Sequence, residues 1–194
     1  MITDARANAM LDTEYVTGDL LSLHSAFSAA GANELAGGSY ARQAITWSAA
    51  ASRAKASSGT INVPTPAAAT VAWLGIWNSA GTVFKGMMPN GGFDRSFQVG
   101  VTANTIIVEG NGFANDERVV FTGTPPTGLT EGTHYFVTGV TAGDPDTFTV
   151  SATQGGAAID ITGQPAAHCV VSKVVIEVYA SAGTHQVTSV TARL

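Results

Sequence analysis

Apolar and polar residues alternate with a period of two along most of the chain, in short segments bounded by Gly, Pro, Ser or Asn. In segment 19–25, Leu21 and Leu23 alternate with Ser22 and His24. Similar segments occur at 40–47, 59–64, 70–77, 82–89, 93–99, 104–110, 117–123, 133–140, 146–152, 157–161, 168–172, 173–180 and 185–192. Because successive side chains of a strand point to opposite faces, the pattern predicts an all-β fold, a barrel or sandwich, without βαβ units.

Two of these segments, 70–77 and 82–89, are separated by a short polar stretch and are predicted to form a hairpin with Gly81 in its turn. Trp73 and Trp77 are four residues apart, so on one strand they point to the same face. We interpret this face as part of the core, and the alternative is a surface on which sugars stack.

Residues 3–16 form the one segment with a helical pattern. Thr3 is suited to cap the helix, Asp4 favours its first turn, and Gly18 follows its end. The helix either covers one end of a barrel or serves as an arm that docks on a neighbouring molecule. In the second interpretation the candidate partner contacts are Arg6, Met10 and Tyr15.

The chain carries few charges for a soluble domain. Of its 194 residues 12% are charged, the net charge is -5, and 22 residues are Gly. A surface of Thr, Ser, Ala and Gly suits close contact in an assembly, and the absence of a basic stripe argues against nucleic acid as a partner. No apolar run is long enough for a membrane span, and the acidic N-terminus lacks the pattern of a signal peptide.

The sequence contains no motif that would predict catalysis or metal binding. A G-x-S-x-G nucleophile motif is absent, and the histidines are not at the spacing of metal ligands. The acidic pairs Asp116/Glu117 and Asp144/Asp146 lie in turn sequences, where Asp is common for local hydrogen bonds. Cys169, the single cysteine, lies in an apolar strand and is predicted to be a buried thiol. We therefore predict no catalytic residue, no cofactor and no metal.

Residues 15–90 resemble a family of tail-fibre-like or minor structural proteins of tailed bacteriophages. The family pattern is a strand with Leu-His, a loop that ends in G-G-S-Y-A-R-Q, and a V-x-x-x-G-x-W hairpin. The matching residues are Leu23, His24, Asn33, Glu34, Gly38, Tyr40, Arg42, Gln43, Gly75 and Trp77. The resemblance implies a virion structural protein, often a trimer.

A second segment, from Asn104 to Gly163, is similar to a small Ig-like β-sandwich that is inserted into many phage surface proteins. The matching residues include Gly110, Gly112, Val119, Phe121, Pro126, Gly128, Leu129, Gly132, Tyr135, Phe148, Ser151, Gly155, Gly156 and Ile159. Where such proteins often have Asp-Gly-Asp, this chain has Asn115-Asp116-Glu117.

The two resemblances together imply a discontinuous base domain. It would consist of residues 1–100 and 173–194, with a β-barrel or sandwich and the helix at about 3–16, and the inserted sandwich would occupy 101–172. The first segment lacks a closing strand, which 173–194 would supply. The alternative is two consecutive domains divided near residue 100.

The leading functional hypothesis is a structural protein on the surface of a phage particle, assembled in the host cytoplasm. Its partners would be itself, as a homotrimer by the resemblance, and major capsid or tail proteins. Tyr40 and Arg42 are read either as a strand with a polar edge or as an intersubunit contact. The alternative is a carbohydrate-binding adhesion module that recognises a host-surface glycan through Phe113 and Tyr135. An enzyme acting on polysaccharide is a third hypothesis, and it lacks an acid pair.

Overall fold

The structure is a computed structural model that describes residues 2–92, 94–100, 104–110, 112–143 and 146–194. It divides into two compact units. The first contains Met1–Met88 and Glu177–Leu194, and the second contains Pro89–Ile176.

The N-terminal helix predicted from the sequence is confirmed. Helix α1 covers Asp4–Glu14, and the hydroxyl of Thr3 accepts a hydrogen bond from the backbone N–H of Arg6. Ala7 and Leu11, one turn apart, are its buried side chains. A helix with so few apolar residues depends on this contact for its stability, because short isolated helices are marginal in water.

The other regular elements of the described residues are short strands, so the all-β prediction is also confirmed. The strands are β1 Leu20–His24, β2 Gln43–Ala44, β3 Ala54–Ala56, β4 Ile61–Thr65, β5 Ala69–Val71, β6 Trp73–Trp77, β7 Phe84–Pro89, β8 Arg95–Ser96, β9 Gln98–Val99, β10 Ile106–Val108, β11 Arg118–Gly123, β12 His134–Thr141, β13 Asp146–Ser151, β14 Cys169–Lys173, β15 Glu177–Tyr179, β16 Gly183–Val187 and β17 Thr191–Arg193.

The first unit has a four-stranded sheet in the order β2-β1-β6-β7 and three two-stranded ladders. In the ladders, β15 pairs with β5, β16 with β4 and β17 with β3, all antiparallel. The C-terminal strands therefore complete the unit that the N-terminal strands begin. One core joins the sheet and the ladders; its buried members are Leu21, Leu23, Ile45, Trp47, Ile61, Val63, Val71, Leu74, Ile76, Val187 and Val190.

The predicted hairpin consists of β6 and β7, which are neighbours in the sheet. In its turn, Asn78 and Val83 are joined by a backbone hydrogen bond, and Gly81 has a φ of 70°. Trp73 on β6 is fully buried, as the core interpretation of this face predicted.

Polar contacts join α1 to β3 and to the loop that precedes it. The Asp12 carboxylate accepts hydrogen bonds from Lys55 Nζ at 2.7 Å and from the Ala50 backbone N–H at 3.0 Å. Asn8 Oδ1 accepts from the backbone N–H of Arg53 at 2.9 Å. The helix is therefore an integral part of the first unit.

The second unit is one seven-stranded sheet in the order β8-β14-β11-β12-β13-β10-β9. The edge strands β8 and β9 are separated in the chain by a single residue, Phe97, so the sheet nearly closes on itself. The sequence analysis predicted a sandwich of two sheets here. The barrel-like sheet forms because the chain passes directly from one edge to the other, with Phe97 buried and its ring 5.3 Å from that of Phe121.

The bounds of the two units differ from those expected from the sequence. The second unit starts at Pro89 rather than at residue 101, because β8 and β9 pair with β14 and β10. It ends at Ile176 rather than at residue 172. In the described part of the chain, no helix has the length and apolarity that crossing a membrane requires.

Cys169 is a free, buried thiol, and burial raises its pKa to about 11. A neutral thiol is a poor nucleophile, so we expect iodoacetamide at pH 8 to leave Cys169 unmodified in the folded chain and to modify it in urea. Mass spectrometry before and after unfolding measures this. Rapid alkylation of the folded chain would contradict it.

Candidate functional site

The adjacent strands β1 and β6 hold a chain of hydrogen bonds between side chains that belong to the phage-like motif or adjoin it. Ser22 and His24 are two residues apart on β1 and share a face, and Ser22 lies opposite Gly75. The Ser22 hydroxyl lies 2.7 Å from His24 Nε2, and Trp77 Nε1 donates to Ser22 Oγ at 3.0 Å. His24 Nδ1 lies 2.8 Å from the Ala32 carbonyl oxygen.

The hydrogen-bond partners of Ser22 and His24 determine where the protons of these two side chains lie. A carbonyl oxygen only accepts, so His24 carries its proton on Nδ1 and accepts the Ser22 proton at Nε2. Burial lowers the pKa of His24, which favours the neutral ring that this arrangement requires. Each of these polar groups therefore has a partner inside the unit.

Ser22 and His24 have the residue types and the separation of a nucleophile and its general base. Both side chains are fully buried, however, and Gly75 closes the space beside them. A Cβ atom at Gly75 would lie 2.4 Å from His24 Nε2 and 2.5 Å from Ser22 Oγ. A substrate cannot reach a pair enclosed at this distance, so the pair stabilises the contact between β1 and β6.

A second group of motif residues lies next to this pair. Arg42 donates to the Glu34 carboxylate through Nε at 2.8 Å and through Nη2 at 2.7 Å, and through Nη1 to the Gly81 carbonyl at 2.8 Å. Its guanidinium lies 3.8 Å from the centroid of a Trp77 ring. Tyr40 donates to Glu34 at 2.9 Å and accepts from the Leu23 backbone N–H at 3.0 Å.

The electrostatics of this group favour a permanent ion pair. Burial by itself would raise the pKa of Glu34, but the hydrogen bonds from Arg42 and Tyr40 outweigh it and hold that pKa below its ordinary value. Burial raises the pKa of Tyr40, so its hydroxyl stays protonated and able to donate. Tyr40 and Arg42 thus bond to groups of their own chain, and their contact with a partner stays a prediction.

The other three predicted partner contacts lie together on α1 and at its end. Arg6, Met10 and Tyr15 line a groove of about 470 Å³, together with residues of the C-terminus that include Arg193 and Leu194. We call it the α1 groove. The Tyr15 ring packs on Trp47 at 5.3 Å between centroids, while Met10 is 47% exposed.

The proposed glycan contacts do not form a binding surface. Phe113 is 8% exposed and Tyr135 is 5% exposed, and both belong to the core of the second unit. The Phe113 ring packs edge-to-face on Phe148, and Tyr135 packs on Phe121 in the same way. Neither ring offers a face on which a sugar could stack, so this prediction is corrected.

The carboxylates considered for catalysis have local structural roles. Glu117 forms an ion pair with Lys173 and accepts a hydrogen bond from the Ala114 backbone N–H. Asp146 accepts from the Gly143 backbone N–H, as a turn residue does. Asp144 lies outside the described residues. Among the residues that the structure describes, no group of three His, Cys, Asp or Glu side chains could hold a metal.

The sequence analysis overlooked two features of these sites. Ser22 was treated as a polar strand residue, although its spacing of two from His24 already places both side chains on one face. The part of the C-terminus in the α1 groove, Arg193 and Leu194, had no signal in the sequence, because it depends on the pairing of β17 with β3.

Comparison with protein-family models, curated proteins and solved structures found no match to this chain.

Buried and half-buried histidines should make the folded chain sensitive to acid. Burial lowers the pKa of His24, His134 and His185 below the ordinary value. Below the ordinary histidine pKa, the unfolded chain therefore binds more protons than the folded chain. The contribution of these histidines to stability is complete above about pH 6.5, and it is lost as the pH falls through their lower folded pKa values. We expect the urea midpoint to decrease steadily from pH 7.5 to pH 5.

A single substitution isolates one of these groups. His185 lies 3.1 Å from the Tyr179 hydroxyl and 3.3 Å from Glu177 Oε2. The His185→Gln variant should be less stable at pH 7.5 and should lose less stability than wild type on acidification. His168→Gln, at an exposed position, controls for histidine replacement as such. An unchanged pH dependence in His185→Gln would show that His185 does not contribute.

Proposed function

We propose that this chain is a structural protein on the surface of a tailed-phage particle and acts by protein–protein assembly rather than by catalysis. The first unit, which contains α1 and the phage-like motif, makes the assembly contacts. Its partners are other copies of the chain, with the homotrimer implied by the resemblance, and capsid or tail proteins of the particle.

The observation that carries this proposal is the way in which the motif residues bond to one another. His24, Glu34, Tyr40, Arg42 and Trp77 come from three separate stretches of the chain and form two adjoining polar groups. A motif whose polar atoms bond internally encodes a rigid scaffold, whereas a catalytic motif must present its atoms to a substrate. The resemblance to virion scaffolds is therefore consistent with the chemistry of these residues.

The exposed residues of the first unit give further support. Met10, Val16 and Leu194 are 47%, 43% and 54% exposed, in a chain of which 12% of the residues are charged. Apolar side chains in a lightly charged surface are suited to contact with another protein, because few ions have to lose their water.

The exposed acidic residues of the second unit fit a different role. Asp116, Glu131 and Asp160 are all exposed, and like charges on neighbouring copies repel one another. Water and salt screen such charges when they face solvent. We therefore assign assembly to the first unit.

Mass spectrometry of density-purified particles tests the proposal. Particles produced from the genome that encodes this chain should contain it in a fixed ratio to the major capsid or tail protein, and the ratio should survive repeated banding. A chain found only in the unassembled fraction of the lysate would overturn the proposal.

A further inference from the structure

The α1 groove has a charge pattern that is complementary to itself. Arg6, Met10 and Glu14 all line the groove and lie at positions i, i+4 and i+8 of one helix, so they share a face with about 6 Å between successive positions along the axis. Met10 lies at the centre, and the cation and the carboxylate lie at equal distances on either side of it. All three side chains are exposed.

We propose that the α1 groove binds the α1 groove of a second copy of this chain, with the two helices antiparallel about a two-fold axis at Met10. This inference deepens the proposed function and rests on the assembly role of the first unit. In this arrangement Arg6 of each copy faces Glu14 of the other, and Met10 contacts Met10.

Charge selects the direction of pairing. In a parallel pair, Arg6 would face Arg6 and Glu14 would face Glu14, and both contacts are repulsive. In the antiparallel pair both contacts join opposite charges. A two-fold contact uses the same patch on both partners, and a patch meets that condition only if it is complementary to itself.

The groove is also held in place before a partner binds. Asp12 and Asn8 bond to the loop preceding β3, and Leu11 is 1% exposed in the unit. Lys85 Nζ lies 4.0 Å from Glu14 Oε1 but is bonded chiefly to Asp19, and the Glu14 side chain is 61% exposed. A preorganised face loses little conformational freedom on binding.

The proposed contact between two α1 grooves is small, so we expect it to be weak. An 11-residue helix is about 16 Å long, so the pair falls in the class of weak, transient interfaces. Many copies on one particle would raise the effective concentration and strengthen the contact there. A two-fold contact cannot join the subunits of a trimer to one another, so in a trimeric protein it would join one trimer to the next.

Charge reversal in the full chain tests the proposal. Sedimentation equilibrium of the wild-type chain should show self-association that rises with concentration. Arg6→Glu and Glu14→Arg should each weaken it by at least about tenfold, because both contacts become repulsive. At a concentration at which wild type is largely associated, the weight-average mass of each variant should therefore fall toward that of the unassociated species. Met10→Lys should have the same effect. Glu109→Arg, an equal charge change at an exposed position in the second unit, should leave it unchanged.

Mixing the variants provides the decisive result. Arg6→Glu and Glu14→Arg chains should pair with each other, and the double variant R6E/E14R should pair with itself as wild type does. Circular dichroism confirms that each variant is folded. A wild-type chain of one mass at all concentrations, single variants that associate like wild type, or a mixture that fails to pair would overturn the proposal. Because only purified chain is used, the result is independent of whether the chain is found in particles.

Discussion

Replacing Lys85 with alanine should lower the free energy of unfolding by about 3–5 kcal/mol, because it leaves a buried carboxylate without its charge partner. The Asp19 side chain is fully buried and Lys85 is 8% exposed. Lys85 Nζ lies 3.0 and 2.9 Å from the two Asp19 oxygens and also donates to the Glu14 carbonyl. This one side chain therefore ties β7 to the end of α1 and to the start of β1.

The expected loss of stability depends on how deeply the ion pair is buried, and a more exposed ion pair of the same chain serves as the control. Lys173 and Glu117 also form an ion pair, but their side chains are 40% and 24% exposed. Lys173→Ala should therefore cost about 1 kcal/mol or less. Urea denaturation followed by tryptophan fluorescence compares the two variants directly.

A second substitution separates charge from hydrophobic contact at position 85. Lys85→Met keeps most of the apolar stem and removes the charge, so it should lose nearly as much stability as Lys85→Ala. Adding Asp19→Asn to Lys85→Met removes the unpaired charge and should recover part of the loss. A Lys85→Met variant as stable as wild type would show that Asp19 does not need this partner.

Gly75→Ala should destabilise the first unit by about 3 kcal/mol or prevent it from folding. The added Cβ would lie 2.4 Å from His24 Nε2 and 2.5 Å from Ser22 Oγ. Neither side chain can move away without breaking a bond, because Ser22 bonds to Trp77 and His24 bonds to the Ala32 carbonyl. The effect arises from this contact, since Gly75 does not have the positive φ that would strain alanine.

A matched glycine lies on another strand of the same unit. Gly183 begins β16, also without a positive φ, and its added Cβ would come no closer than 3.2 Å, to the edge of the Tyr179 ring. Gly183→Ala should change stability by less than about 1 kcal/mol. Urea midpoints and near-ultraviolet circular dichroism should distinguish the variants. Equal stability of Gly75→Ala and wild type would mean that Ser22 and His24 are not locked together.

Local features of the structure could be predicted from the sequence. The alternation of Leu21 and Leu23 with polar neighbours predicted β1, and Thr3 and Asp4 predicted the start of α1. The hairpin turn at Gly81 followed from the same kind of short-range pattern. Such patterns work because turn geometry, capping and strand alternation depend on neighbours within a few residues.

Only the tertiary structure decided whether a given face of a strand is buried or exposed to solvent. Alternation places Tyr135 with Val137 on one face of β12. Only the near-closure of the sheet between β8 and β9 buries that face, so that Tyr135 cannot contact a glycan. In the same way, Tyr40 and Arg42 bond inward because Glu34 and Trp77 lie beside them.

The individual long-range partners were likewise decided only by the fold, although the sequence analysis expected residues 173–194 to supply closing strands. The ion pair of Lys85 with Asp19 joins residues 66 apart, and the pairing of β16 with β4 joins the C-terminal strands to the N-terminal half of the chain. The sequence determined the periodicity, the helix cap and the turn residues, since these are local. The strand partners, the limits of the two units and the α1 groove depend on contacts between distant segments, whose energies no local pattern encodes.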